Sequence, residues 1–218
     1  MIKKLFETVA NWVVELIGKT TWRKIAIFHK GRYYELTYAE QETIKTLLKR
    51  DYYIILTRRK THLSTYAINL SHWYLTRLKH WGYYSHSLAN LEDEVKSEDD
   101  FRLIEATNKY GVGYVPFDQV FDCDSVALLK PKGITLDEWT RVMDDLMTHN
   151  GKKYDTLYKL ADATEMSCVE LVRAALMTLP DYHTRFARFE RMIARANNLD
   201  PHMYYNCGDF EVVYVVRH

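Results

Sequence analysis

Apolar residues recur every third or fourth position in several long stretches of this chain. Short β-branched and aromatic runs lie between them, and the mixture predicts an α+β fold. In residues 1–19, Ile2, Leu5, Phe6, Val9, Val13, Leu16 and Ile17 form one stripe, with Lys3, Lys4, Glu7, Asn11 and Glu15 mostly off it. That stripe is an amphipathic helix, and two short β-like runs around Lys30-Gly31 follow it. Residues 1–37 then read as an N-terminal appendage to one domain over residues 38–218. In the domain the pattern predicts helix over 38–49, strand over 52–57, helix over 63–79 and strands over 83–91 and 101–107, the last two separated by the acidic stretch 92–100. Residues 111–116 read as a glycine-containing loop, and 125–130 as a strand stopped by Pro131 and Gly133. Helix over 136–149, a turn over 151–155, helices over 168–179 and 184–197, and a β-branched strand over 210–216 complete the chain.

The strands flanking the acidic stretch invite a hairpin with a definite register. A symmetric turn places Leu91 opposite Asp100, Leu88 opposite Leu103 and His86 opposite Glu105. Side chains alternate along a strand, so His86, Leu88 and Asn90 would share a face with Phe101, Leu103 and Glu105. Directly opposed residues have Cβ atoms about 4.5–5.5 Å apart, within reach of a carboxylate–imidazole contact.

Cys168 stands where a polar stretch gives way to an apolar helical run. Ser167-x-x-Glu170 is a capping box, which makes Ser167 the N-cap and Cys168 the first helical residue. The positive end of the helix dipole favours a thiolate there, and the first-turn N–H groups are available to an oxyanion. Cys168 also shares helical phase with Leu171, Val172, Ala175, Leu176 and Leu179, as an inert core thiol would. Both readings stand on position alone. A nucleophilic thiol needs an imidazole within reach and a third polar group to orient it, and His86 with Glu105 supply both.

Composition narrows the partners. At 218 residues and 47% hydrophobic, the chain can bury one well-packed domain. Thirty Lys and Arg balance twenty-nine Asp and Glu, with no basic block, so nucleic acid is not an expected partner. Cys123, Cys168 and Cys207 are odd in number and far apart, which suits single thiols in a reducing compartment. No His or Cys spacing matches a zinc site, so no metal is expected, and no cofactor. There is no run of eighteen apolar residues and no signal-peptide cleavage pattern, which predicts cytoplasmic synthesis. Lys3, Lys4 and Trp12 leave two roles for residues 1–19, a helix packed on the domain or a partner, or an interfacial helix on a membrane surface.

The order of short motifs adds a resemblance from about Leu36 onward. Arg50-Asp-Tyr-Tyr-Ile-Ile-Leu56 comes first, then Ser85-His86-Ser87, Ile104-Glu105-Ala106 with Gly111-Val112, Tyr154-Asp155, and Ser167-Cys168-Val169-Glu170-Leu171-Val172. Leu199-Asp-Pro201 and Phe210-Glu-Val-Val213 end the series. In this order they resemble the permuted papain-like branch of the NlpC-type cysteine hydrolases, the YiiX-like family, in which the histidine precedes the cysteine. The resemblance implies a circularly permuted papain-like fold, with a central antiparallel sheet packed against helices that include the nucleophile helix. It also implies a hydrolase in which Cys168 attacks a carbonyl, His86 serves as base and then acid, and Glu105 orients His86, with Tyr84, Tyr154 and Ser167 touching substrate. Ser167 and Val169 depart from the Tyr and Ser that usually flank the family's cysteine.

The expected reaction is amide cleavage in a cell-wall fragment or another small peptide through an acyl-enzyme. Two alternatives remain at this point. One is a lipid acyl hydrolase, thioesterase or acyltransferase at a membrane surface, reached through residues 1–19. The other is a non-catalytic binding or structural module on the same scaffold.

Overall fold

The computed structural model of the chain describes residues 36–59, 65, 68–70, 72–73, 82–91, 102–155, 164–196 and 199–218. Six strands, β1 (Ile54–Arg58), β2 (His86–Asn90), β3 (Leu103–Thr107), β4 (Gly111–Val115), β5 (Ser125–Pro131) and β6 (Phe210–Arg217), form one sheet in the order β4-β3-β2-β1-β5-β6. Every pairing is antiparallel. β1 lies inside the sheet, and Ile54, Ile55 and Leu56 are all buried, which accounts for its unbroken apolar run.

Alternation along the strands divides the core into two layers. Ile54, Leu56, Ala89, Ile104, Ala127 and Leu129 face the helices α2 (Leu136–Thr148) and α3 (Cys168–Leu176). Ile55, Leu88, Leu103, Val126 and Leu128 face helix α1 (Tyr38–Leu48) and the short 3-10 segment Phe117–Phe121. Full burial of one leucine or isoleucine stabilises the fold by about 1.5–3 kcal/mol, so both layers matter to stability.

The helices begin where their caps say they should. Thr37, Ser167 and Thr135 each accept the N–H of a glutamate three residues on, whose carboxylate reaches back to the cap N–H. Arg185 ties α2 to the C-terminal helices through a bidentate pair with Glu138 at 2.8 and 2.9 Å.

Several expectations change. Residues 111–115 form strand β4 rather than a loop, and glycine is there because the backbone must approach another segment closely. Gly111 has φ +83°, and a Cβ at that site would sit 2.1 Å from the Lys152 carbonyl oxygen. The helix over 184–197 is two pieces, α4 (Tyr182–Arg185) and α5 (Ala187–Ala196), broken at buried Phe186. A further helix, α6 (Pro201–Asn206), follows Asp200, which caps it by accepting the His202 N–H at 2.9 Å.

The β2–β3 register is displaced by two residues from the symmetric hairpin. Leu88 pairs with Glu105 and Asn90 with Leu103, and the Leu91 N–H bonds the Arg102 carbonyl at 3.1 Å in the same register. A displacement of two keeps each side chain on its face. Residues 1–35, the acidic stretch 92–100 and most of 63–79 lie outside the described residues, as does the role assigned to residues 1–19. Among the described residues no helix is long and apolar enough to cross a membrane.

Candidate active site

The β2–β3 ladder ends at the Leu88–Glu105 pair, although β2 continues to Ser87 and His86. Both of those residues still pair with β1, through Leu56 and Thr57. Leu91 directs its N–H to β3, and alternation points the Ser87 N–H the same way, where the strands have already parted. The Ser87 N–H is thereby left to favour the charged form of the Cys168 sulfur. The Ser87 hydroxyl donates to the Cys168 carbonyl at 2.9 Å, so one serine acts on both the sulfur and the backbone of the cysteine.

Cys168 is the first residue of α3, behind its Ser167 cap, and only 1% exposed. The His86 imidazole is the positive neighbour of its thiol, and the other side of that ring meets Glu105, with Nε2 2.6 Å from Oε2. Nε2 is taken by the carboxylate, which leaves Nδ1 to serve the sulfur. Burial works against a thiolate at Cys168, but the charge of His86 and the polar groups of His86 and Ser87 outweigh it and lower the pKa. Burial also works against an imidazolium at His86, but Cys168 and Glu105 together raise its pKa. The two shifts describe one pair, a thiolate beside an imidazolium. Glu105 is itself buried at 1% exposure, yet its pKa is lowered by His86 and by hydrogen bonds from His86 and Tyr110, with Arg59 adding positive charge nearby.

The other two thiols contrast sharply. Cys123 and Cys207 are buried with carboxylates as neighbours, and each is pushed up to about 12. Only Cys168 has an environment that favours the nucleophilic form.

The structure thus brings Cys168, His86 and Glu105 together as the sequence anticipates, with Glu105 reaching His86 along a diagonal rather than from directly opposite. It does not bring Tyr84 to them. That residue is fully buried among Tyr83, Tyr205 and His202, with the Arg217 guanidinium 5.8 Å from its ring centroid. Ser167 is buried and occupied as the cap of α3. Tyr154 packs partly buried against the α2–α3 layer. Sequence reasoning passed over Ser87, although its neighbour's role and strand alternation would have placed its side chain on the face of α3. It also passed over Tyr110, for which the sequence carries no signal beyond proximity to Glu105.

Among the described residues no group of three or more His, Cys, Asp or Glu side chains is arranged to hold a metal ion. The nearest approach to one, His72 with Asp200, is a buried contact in which Nδ1 lies 2.6 Å from the capping carboxylate of α6.

Neither a protein-family model nor a curated protein matches the chain. A solved structure does, that of metalloprotein YiiX from Escherichia coli O157:H7. It matches with a TM-score of 0.52 at 13% identity, over 78% of this chain and 99% of that one. At that identity the likeness is one of fold, and this chain has the α+β architecture of a YiiX-like protein.

Proposed function

We propose that the chain is a cysteine hydrolase of the amidase or peptidase type, cleaving an amide in a cell-wall fragment or another small peptide. The observation that supports this reading is the contact chain from the Cys168 thiol through His86 to Glu105, at the start of a capped helix. The Cys168 thiolate attacks the carbonyl carbon, and the oxygen takes up the negative charge beside the Cys168 N–H at the positive end of α3. The His86 imidazolium then gives its proton to the departing amine, leaving an acyl-enzyme with neutral His86. Neutral His86 removes a proton from water, the resulting hydroxide attacks the thioester, and the acid product leaves a thiolate and an imidazolium again. Glu105 keeps the ring oriented throughout and stabilises its charged form.

The neighbouring fold carries the description metalloprotein, but the described side chains of this chain do not form a metal-binding set, and no step here uses a metal.

The burial of Cys168 supports a second reading, a scaffold whose thiol never meets substrate. Incubation with small peptide amides, peptidoglycan fragments and acyl esters, followed by intact-mass measurement, separates the two. An acyl adduct on Cys168 that is absent in Cys168→Ser supports the hydrolase, and the substrate class that gives it identifies the bond cleaved. No adduct or product from any of the three classes, from a folded protein, favours the scaffold.

A further inference from the structure

Glu105 has two carboxylate oxygens, and only one of them meets His86. The other, Oε1, accepts the hydroxyl of Tyr110. Tyr110 belongs to the turn between β3 and β4, and its ring is half exposed while its hydroxyl reaches inward. What lets the ring lie there is Gly113. That residue pairs with Glu105 across the β3–β4 ladder, and a Cβ on it would come within 3.2 and 3.3 Å of the Tyr110 ring carbons. The missing side chain forms a slot, and the ring laid over a strand glycine covers the backbone as an aromatic neighbour of a glycine commonly does.

We propose that Tyr110, seated over Gly113, is a positioning residue that fixes Glu105 in its ionised form against His86. The proposal rests on the catalytic reading of Cys168 and His86 given above. A buried carboxylate with one oxygen unpartnered would take up a proton at higher pH, because burial penalises its charge. The Tyr110 hydroxyl removes that vacancy. Burial and the Glu105 carboxylate raise the pKa of Tyr110, so the phenol stays protonated and remains a donor. Among the described residues, the groups facing Glu105 are His86 from β2, Tyr110 from the turn, and Arg59 beyond β1; Tyr110 itself faces Glu105, Thr107 and Arg59. Apart from Tyr110, each is either the group being positioned or a charge that acts through space. Tyr110 alone also sets direction, because it fixes the carboxylate plane through the oxygen that His86 leaves open.

The test is the pH dependence of Cys168 alkylation by iodoacetamide in the full chain, for the native protein, His86→Ala, Tyr110→Phe and Gly113→Ala. Tyr110→Phe removes one oxygen atom from a half-exposed ring, and circular dichroism checks that the variant is folded. The expected result is an acid limb moved up by about one pH unit, with the rate at slightly acidic pH down by about fivefold or more and largely recovered at higher pH. A change in packing alone would not displace a limb along the pH axis. Gly113→Ala, which pushes the ring from its slot, moves the limb the same way and adds nothing in the Tyr110→Phe background. An acid limb unchanged by Tyr110→Phe, in a protein whose Cys168 is reactive and slowed by His86→Ala, overturns the role of Tyr110 and leaves the catalytic reading intact. Native Cys168 reacting no faster than Cys123 or Cys207 overturns the catalytic reading itself.

Discussion

Glu105 pairs across the sheet with Leu88 and reaches His86 along the diagonal, its Oε2 2.6 Å from Nε2. Diagonal neighbours on one face lie about 7–8 Å apart at the backbone, a gap that a glutamate and a histidine can span together. The diagonal has a consequence for substitution. Glu105→Asp shortens the reach by one methylene, so it should lose most of the His86 contact although the charge is kept. We expect its alkylation rate at neutral pH to fall toward that of Glu105→Gln, and a rate equal to the native one would show that the charge alone suffices.

The thiolate–imidazolium pair sets a pH window. Cys168 has its pKa lowered, so alkylation should persist well below the usual thiol value of about 8.5 and decline only as pH falls through the lowered value. His86 has its pKa raised, so hydrolysis, which needs the imidazolium proton, should continue above the free imidazole value of about 6.5 and fail as pH rises through the raised value. Cys123 and Cys207, at about 12, should remain unlabelled while Cys168 reacts near neutrality. Mass-spectrometric mapping of the labelled protein reads all three at once, and equal labelling of the three thiols would sink the nucleophile assignment.

In the proposed reaction, His86→Ala removes the general base and acid together. Hydrolysis should fall by about 10²–10⁴-fold, the ordinary worth of a positioned proton donor. Cys168 alkylation should slow as well, because the charge that lowers the thiol pKa is gone. A variant that hydrolyses substrate at the native rate would exclude His86 from the reaction.

Ser87→Ala separates the two actions of that serine on Cys168. It deletes the hydroxyl that donates to the Cys168 carbonyl and keeps the backbone N–H that favours the charged sulfur. Loss of a buried partner should destabilise the fold by about 1–3 kcal/mol in urea unfolding. Reactivity should drop but survive, whereas complete loss in a folded variant would mean that the hydroxyl, not the strand amide, supports the thiolate.

Gly111 and Gly151 both have positive φ, of +83° and +87°, yet only Gly111 sits against another backbone, with the Lys152 carbonyl oxygen 2.1 Å from its would-be Cβ and nothing near that of Gly151. The Val112 N–H bonds the same Lys152 oxygen at 2.8 Å, and Met166 just before the cap of α3 bonds Lys153. Gly111→Ala should therefore cost at least about 1 kcal/mol more than Gly151→Ala, since both carry the left-handed strain and one adds a clash. Comparison of their urea midpoints checks this, and equal midpoints would refute the clash.

Much of this arrangement is legible from residue order because the signals are local. The Ser167 capping box, the buried run of β1 and the apolar phase of α3 each depend on neighbours within a few positions, and all three appear where the pattern places them. The triad residues were legible for a related reason, since parity along a strand survives a register displaced by two. The register itself was not legible, because the two strands are joined by a long connection that no tight turn pins, and symmetry was the only guide to their pairing. Nor was β4, whose glycines look like loop residues until Lys152 is seen pressing on one and Tyr110 lying over the other. Tyr84 shows the limit from the other side. Two positions from His86 in the chain, it belongs to a cluster of rings around Arg217 that no short-range pattern announces.

The parting of β2 from β3 leaves the Ser87 N–H without a strand carbonyl and turns it toward the charge of the Cys168 sulfur. The sheet is thereby sensitive to what is attached to that sulfur. A thioester or an alkylated sulfur is uncharged and a far weaker acceptor than a thiolate, so acylation in the proposed reaction should loosen that strand amide and deacylation secure it again. Hydrogen exchange at Ser87 would follow that cycle, with the backbone itself recording whether the nucleophile is free or loaded.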